Sequence, residues 1–210
     1  RPVGQESFSI PLKATMGIGL LPDFLLQNYE VHEWKHACAI LLQDFPEEWD
    51  DMVAVLAEFR FHRSWITVGG GRKSKVSEAI DSSLYSRGWA EKQFATEIVI
   101  DGSHTETPTH QIDCFKNRIA LEIEWNNKDP FFDRDLNNFR LLFELRAVSV
   151  GVIITRCDNL QEIFHKIGRG KSYGASTTHM GKLLPRLAGG GGGGCPILVF
   201  GISQSLYVED

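Results

Sequence analysis

IDCFKNRIALEIEWNN, residues 112 to 127, decides how this chain is read. Its second half, IALEIEW, has the apolar character of a buried β-strand, yet it carries Glu122 and Glu124, and Asp113 lies just upstream across a short polar break. If 108–115 and 119–125 pair through a two-residue turn at Asn117 and Arg118, Lys116 faces Ile119 and Asp113 falls opposite Glu122. Directly opposed residues share a face of the sheet, with Cβ atoms roughly 4.5–5.5 Å apart. Glu124, two residues on, joins that face, while Leu121, Ile123 and Trp125 point the other way, toward a helix. Like charges directly opposite one another destabilise a sheet, and burying them costs more unless a proton or a cation intervenes. Two readings follow: a divalent cation held by the acids, or a solvated face on which each acid has its own basic partner.

Working outward, Pro46 followed by Glu47 and Glu48 opens a helix. Trp49, Met52, Val53, Leu56 and Phe59 carry its apolar spacing to about residue 62. The stretch 24–42 is ambiguous between strand and helix. GGGRKSK, 69–75, reads as a basic loop, and SEAIDSSLYSRGW as a helix with Ser77 as its cap. FATEIVI, 94–100, reads as a strand, and RDLNNFRLLFELRA as an amphipathic helix. VSVGVIIT, 148–155, is the β-branched run of a central strand. Helices near 159–167 and 176–187 precede a last buried strand, CPILVFGI, 195–202. Hairpins early and alternation late predict an α/β fold with α+β character: a central mixed sheet flanked by helices. The whole chain, 1–210, reads as a single domain, with 1–22 an N-terminal arm and the glycines at 189–194 a mobile linker within it.

The 210 residues, with five Trp and thirteen Phe, supply a real core. A net charge of −5 does not advertise nucleic-acid binding, but local clusters matter more than the sum. No run of eighteen apolar residues appears, so no membrane span is expected. The chain opens at Arg1 rather than Met, which leaves room for sequence ahead of it, and no secretory signal reads at the start. Cys38, Cys114, Cys157 and Cys195 are far apart, which fits reduced core thiols in a reducing, cytoplasmic setting. Neither glycine-rich stretch has the spacing of a phosphate-binding loop.

Asp113, eight intervening residues and then Glu122-Ile123-Glu124 resembles the signature of the PD-(D/E)xK nucleases. The wider pattern is similar to the BglII/BstYI group of type II restriction endonucleases. It runs from EEWDDMVAVLAEFR through GRKSK, SRGW, QIDCF, ALEIEWNNKDPFF and SYG to PILVFGI, most of residues 47–202. Two departures stand out. Ile112 replaces the usual proline before the first acid, and Glu124 stands where the superfamily usually has lysine and the nearest relatives glutamine. The resemblance implies a restriction-endonuclease-like core and a Mg²⁺-dependent nuclease with one or two ions per site. Asp113 and Glu122 would bind the ion, Glu124 would bind it or orient water, and Glu58 would complete the shell. It also implies a homodimer cutting double-stranded DNA at a short palindrome with a GATC-like core, leaving 5′-phosphate and 3′-hydroxyl ends, in a bacterial or archaeal host. Asn126, Asn127 and Lys128 would approach the DNA, as would Lys171, Ser172 and Tyr173 of GRGKSYG. Asn suits base reading, and lysines and arginines phosphate. Arg72, Lys73 and Lys75 form a second cationic patch.

A competing motif comes from a different class of enzyme. HEWKH matches H-E-x-x-H, and on a helix His32 and His36 would share a face and bind zinc, with Glu33 as base of a metalloprotease. A third reading is a DNA-binding relative without cleavage, against which the complete acidic set argues.

Overall fold

The computed structural model describes residues 17–68, 73–107, 109–128 and 130–210. Arg72 and all of the arm before residue 17 lie outside them. In chain order, α1 (Asp23–Asn28) leads into β1 (Tyr29–Trp34), then α2 (Ala37–Asp44) and α3 (Pro46–Glu58). Next come β2 (Phe61–His62), α4 (Arg63–Thr67) and α5 (Lys75–Tyr85). β3 (Ala90–Lys92) precedes β4 (Glu97–Ile100) and β5 (Ser103–Glu106), followed by β6 (Ile112–Lys116) and β7 (Ile119–Glu124). The second half contains α6 (Phe131–Glu144), β8 (Val150–Arg156), α7 (Leu160–Lys166), α8 (Met180–Ala188), β9 (Ile197–Ile202) and β10 (Tyr207–Val208).

β8 and β9 are buried at every position, as strands covered on both faces must be. They lie at the middle of a mixed six-stranded sheet of order β1-β9-β8-β7-β6-β3. β7, β8 and β9 run parallel, and the crossovers between them carry α6 and then α7 and α8. β1, β6 and β3 pair antiparallel at the two sides. Leu121, Ile123 and Trp125 of β7 and its end, with Val152, Ile154, Leu198 and Phe200, pack with buried residues of α1, α2, α3, α5 and α7. On the other face, Ala120, Ile153 and Val199 pack under Phe132, Leu136, Phe139 and Leu142 of α6 and Leu183 and Leu187 of α8.

The expected mixed sheet with flanking helices is therefore present, with local differences. The ambiguous stretch 24–42 divides into helix, strand and helix, because Lys35 and His36 take positive φ (56° and 60°) and end the strand at Trp34. The cap of α5 is Ser74, whose side chain accepts from the Ser77 amide, one turn earlier than expected. FATEIVI does not enter the sheet: β4 pairs only with β5, in a hairpin exposed along its length. The strand that does flank β6 is the short β3. Residues 189–194 form a closed turn rather than a loose tether. Gly190, Gly191 and Gly193 amides donate back to Leu187, Arg186 and Gly190 carbonyls, and Lys35 Nζ donates to Gly193 O. All four cysteines are buried and unpaired. Among the described residues no helix is long and apolar enough to cross a membrane.

Gly151 marks where α6 lies closest to β8. A Cβ there would stand 2.4 Å from Phe139 Cδ2, inside van der Waals contact with a buried ring. Gly151→Ala should therefore cost about 1–3 kcal/mol, read as a lowered urea midpoint at unchanged slope. An unchanged midpoint would mean that α6 can move away from the sheet freely.

Candidate active site

The β6–β7 hairpin has the register read from its sequence: Lys116 faces Ile119, Phe115 faces Ala120 and Cys114 faces Leu121. Asn117 and Arg118 both take positive φ, 41° and 72°, which is the two-residue turn that matches strand twist. One step beyond the regular ladder, the acids enter. Asp113 Oδ2 accepts the Ile123 amide at 2.9 Å, and Glu122 Oε2 accepts the Asp113 amide at 3.2 Å. Each carboxylate thus takes a hydrogen bond from the opposite strand. Tyr85 of α5 donates to the Asp113 carbonyl at 3.0 Å and steadies the strand from outside.

The acidic face is not a solvated one. Glu122 and Glu124 are almost wholly buried beneath the start of α6. That helix contributes Asp135, fully buried, and Arg134. Arg134 Nε and Nη2 donate to Asp135 Oδ1 at 3.1 and 2.9 Å, and Nη2 lies 3.5 Å from Glu124 Oε1. Asn127 Nδ2 donates to Glu124 Oε2 at 2.6 Å. Glu122 Oε1 and Asp135 Oδ2 are buried without a hydrogen-bond partner among the described residues. Such orphaned acceptors cost on the order of 1–3 kcal/mol each unless a proton or cation reaches them.

Burial accordingly raises the proton affinity of every acid in the group. Asp113 is raised by burial, against the Ile123 amide and the positive charges of Lys73 and Arg134. Glu122 is raised well above the usual carboxylate range, by burial and then by Asp135 and Asp113. Glu124 is pushed up to about 9 by burial, the charge of Asp135 and a hydrogen bond to it. Asp135 is pushed up to about 6 by burial, against Arg134. Among the described residues no group of three or more His, Cys, Asp or Glu side chains is arranged as a ready-made metal cage. The donor chemistry nevertheless fits a hard divalent ion, because Mg²⁺ keeps most of its waters and takes only one or two carboxylates beside a substrate phosphate.

A family model for the restriction endonuclease BglII/BglIII matches residues 29–202. The chain belongs to that family. No curated protein matches it. The matched span runs from β1 to the end of β9 and includes the whole carboxylate hairpin. As a member of the BglII/BglIII family the chain is a site-specific endonuclease acting on double-stranded DNA.

In this restriction endonuclease the remaining residues named from the sequence do not share one place. Asn126, Lys128, Lys171 and Ser172 lie together: Asn126 Nδ2 donates to Ser172 O at 3.2 Å, and Lys128 pairs with Thr177. Asn127 also joins that loop, exchanging bonds with Thr178. Tyr173 is a correction. It is buried, stacked on Phe164 at 4.2 Å between centroids and edge-on to Trp125, so it is core rather than a DNA contact. Arg156, buried beneath, donates to Tyr173 O and Thr177 Oγ1 and braces the loop. Lys75 is exposed at the first position of α5. Lys73 is ion-paired with buried Asp81 and faces Asp113, so it belongs with the acids rather than to a free phosphate-facing patch.

Glu58 is exposed at the last position of α3, and the additional acid that bears on Glu122 and Glu124 is Asp135. Glu91 of β3, held by Gln111 at 2.7 Å, also bears on Asp113. Neither Asp135 nor Glu91 was singled out from the sequence, where each is an ordinary acid among polar neighbours. The zinc reading of HEWKH fails on geometry. His32 is on β1 bonded to Glu30, His36 is in the turn before α2, and Glu33 accepts the Cys38 amide.

The raised proton affinities fix a sign for stability. Between the unfolded value of 4.5 and the folded value of about 9, Glu124 stays protonated in the folded chain while the unfolded chain releases that proton. The metal-free protein should lose stability as pH rises through that window. Glu124→Gln should lose less of it and be the more stable form at the alkaline end. Denaturant titrations in chelator across the window check this, and a parallel pH dependence for the two proteins would refute it.

Proposed function

We propose that the chain is a Mg²⁺-dependent type II restriction endonuclease whose ion is held by Asp113 and Glu122, with Asp135 as the neighbouring acid from α6. The observation that carries the reading is the buried carboxylate group under α6, with Glu122 Oε1 and Asp135 Oδ2 lacking a hydrogen-bond partner among the described residues. A fold does not keep opposed, desolvated acids for stability. When bound, the ion supplies charge stabilisation at the phosphorus centre and an acidified water.

The chain's own groups do the rest. The Ile123 amide fixes the Asp113 carboxylate, and the Asp113 amide fixes that of Glu122, so neither acid swings between rotamers. Glu124, beside them on β7 and tethered by Asn127, accepts a hydrogen bond from the attacking water or joins the ion. Water displaces the 3′ oxygen in line, leaving 5′-phosphate and 3′-hydroxyl ends. Asn126 and Asn127 carry donors and acceptors suited to base edges, and Lys128 and Lys171 to phosphates. A palindrome cut on both strands calls for two copies of this site related by a two-fold axis, so the working form is a homodimer, on a site with a GATC-like core.

Digestion of DNA of known sequence with Mg²⁺, with the ends mapped, tests the activity and reports the site together. Asp113→Asn is expected to abolish cleavage while binding the same DNA as well as, or more tightly than, the parent, since a charge near phosphate is removed. A variant that still cuts places the ion elsewhere. DNA bound by the parent chain but left whole in Mg²⁺ and in Mn²⁺ would instead favour a binding protein that kept the fold.

A further inference from the structure

The third position of the motif leaves a charge unaccounted for. Lysine there would bring a positive charge to the scissile phosphate, and Glu124, an acid, cannot supply one. Among the described residues, Lys73 and Arg134 are cations that bear on the acids, and their surroundings differ. Lys73 is ion-paired with Asp81, which is itself buried against Cys114 of β6, and its charge bears on Asp113. Arg134 bonds the acid group itself, through Asp135 Oδ1 and the 3.5 Å approach to Glu124 Oε1. Its side chain is 31% exposed, whereas Glu124 and Asp135 behind it have at most 2% of theirs in solvent. The guanidinium therefore lies between the buried acids and the outside. The ring of Phe131 holds it there, with Cζ 4.2 Å from the centroid. A guanidinium has five N–H donors in a flat fork, a shape that matches phosphate, and the bonds to Asp135 use only its Nε and Nη2.

We propose that Arg134 is a catalytic residue that contacts the scissile phosphodiester, supplying from α6 the positive charge that Glu124 cannot supply from β7. The inference rests on the acids being the cleavage site. Any substrate phosphate brought to Asp113 and Glu122 approaches a cluster of acids, and Arg134 is a cation on the outer side of that cluster. The bland alternative is a counter-ion that only neutralises Asp135. That role predicts a stability loss and no dependence on the charge of the DNA.

The test compares the parent with Arg134→Gln, Arg134→Lys and Asp113→Asn, in two measurements. One is single-turnover cleavage in Mg²⁺ at the mapped site. The other is the salt dependence of DNA binding in chelator, which needs no loaded enzyme. Arg134→Gln is expected to slow cleavage by about 10²–10³-fold, the usual loss for one stabilising donor. It should also flatten the slope of log K against log salt by about one unit, the signature of one lost phosphate contact. Arg134→Lys should keep the slope and cut faster than Arg134→Gln. If the Gln variant does not fold, Arg134→Met, which keeps an aliphatic stem over Phe131, takes its place. A parent-like rate and slope in the uncharged variant overturn the role of Arg134, as does a Lys variant that rescues neither. Cleavage by Asp113→Asn overturns the site itself, and is thereby told apart from a failure confined to Arg134.

Discussion

The turn at Asn117 and Arg118 is the constraint on which the rest of the site depends. Both residues sit at positive φ, and this sets Lys116 against Ile119. Strand periodicity is two, so a slip of one residue would send Glu122 and Glu124 into the apolar face and Leu121 and Ile123 under α6. The register is held from a second direction as well. The Ser149 amide donates to Arg118 O at 2.8 Å, and β8 then pairs in parallel with all of β7, from Ile119 against Val150 to Glu124 against Thr155. Thr155 Oγ1 closes the far end by donating to the Glu124 carbonyl at 2.8 Å. A hairpin alone would be marginal in water, but one edge-locked to a buried central strand is not free to shift.

The sequence carries strand identity well where burial is two-sided. VGVIITR contains no charge until its last residue and ILVFGI none at all, and no helix of that composition would leave a polar face. The register of the acids was legible too, because a two-residue turn between two alternating runs leaves few alternatives. What a linear reading does not carry is which helix face arrives over which strand. Asp135 looks like one of many charges in RDLNNFR, and only the packing of Leu136 and Phe139 on the sheet turns it toward Glu122 and Glu124. Tyr173 misleads for the opposite reason. Its neighbours Lys171 and Ser172 are exposed, so the loop reads as polar, while the ring turns inward to Phe164 and Trp125. HEWKH fails as a helical motif because β1 has β9 as a ready partner, and pairing there satisfies the backbone of His32 and Glu33.

The energetic cost of the acid group is local, and so is what offsets it. Two backbone amides, one side-chain amide and one guanidinium each satisfy one carboxylate oxygen, one apiece on Asp113, Glu122, Glu124 and Asp135. The remaining deficit is met by protons, which is why burial raises the affinity of each acid. Proteins tolerate such groups where a later partner exchanges for the proton, and the surrounding sheet makes the arrangement persist. Both faces of the sheet contribute: Trp125, Phe61 and Phe164 pack on one side of the hairpin's end while Phe132 and Leu136 cover the other. Relaxing the acids apart would mean opening one of those cores.

The asparagines proposed to read DNA are bonded directly to the acid group and to the neighbouring loop. Asn127 sends Nδ2 to Glu124 Oε2, while its backbone exchanges two bonds with Thr178 of the loop that carries Lys171 and Ser172. Asn126 reaches Ser172 O, and Arg156 pins the carbonyl of Tyr173 from below. That loop cannot move without pulling on the residue that orients Glu124. An amide has two N–H groups and a carbonyl, so Asn127 can keep its bond to Glu124 and still offer one donor and one acceptor outward. If Asn127 reads a base edge as proposed, discrimination between DNA sequences would be felt at the acids through a single 2.6 Å hydrogen bond, with no long pathway required.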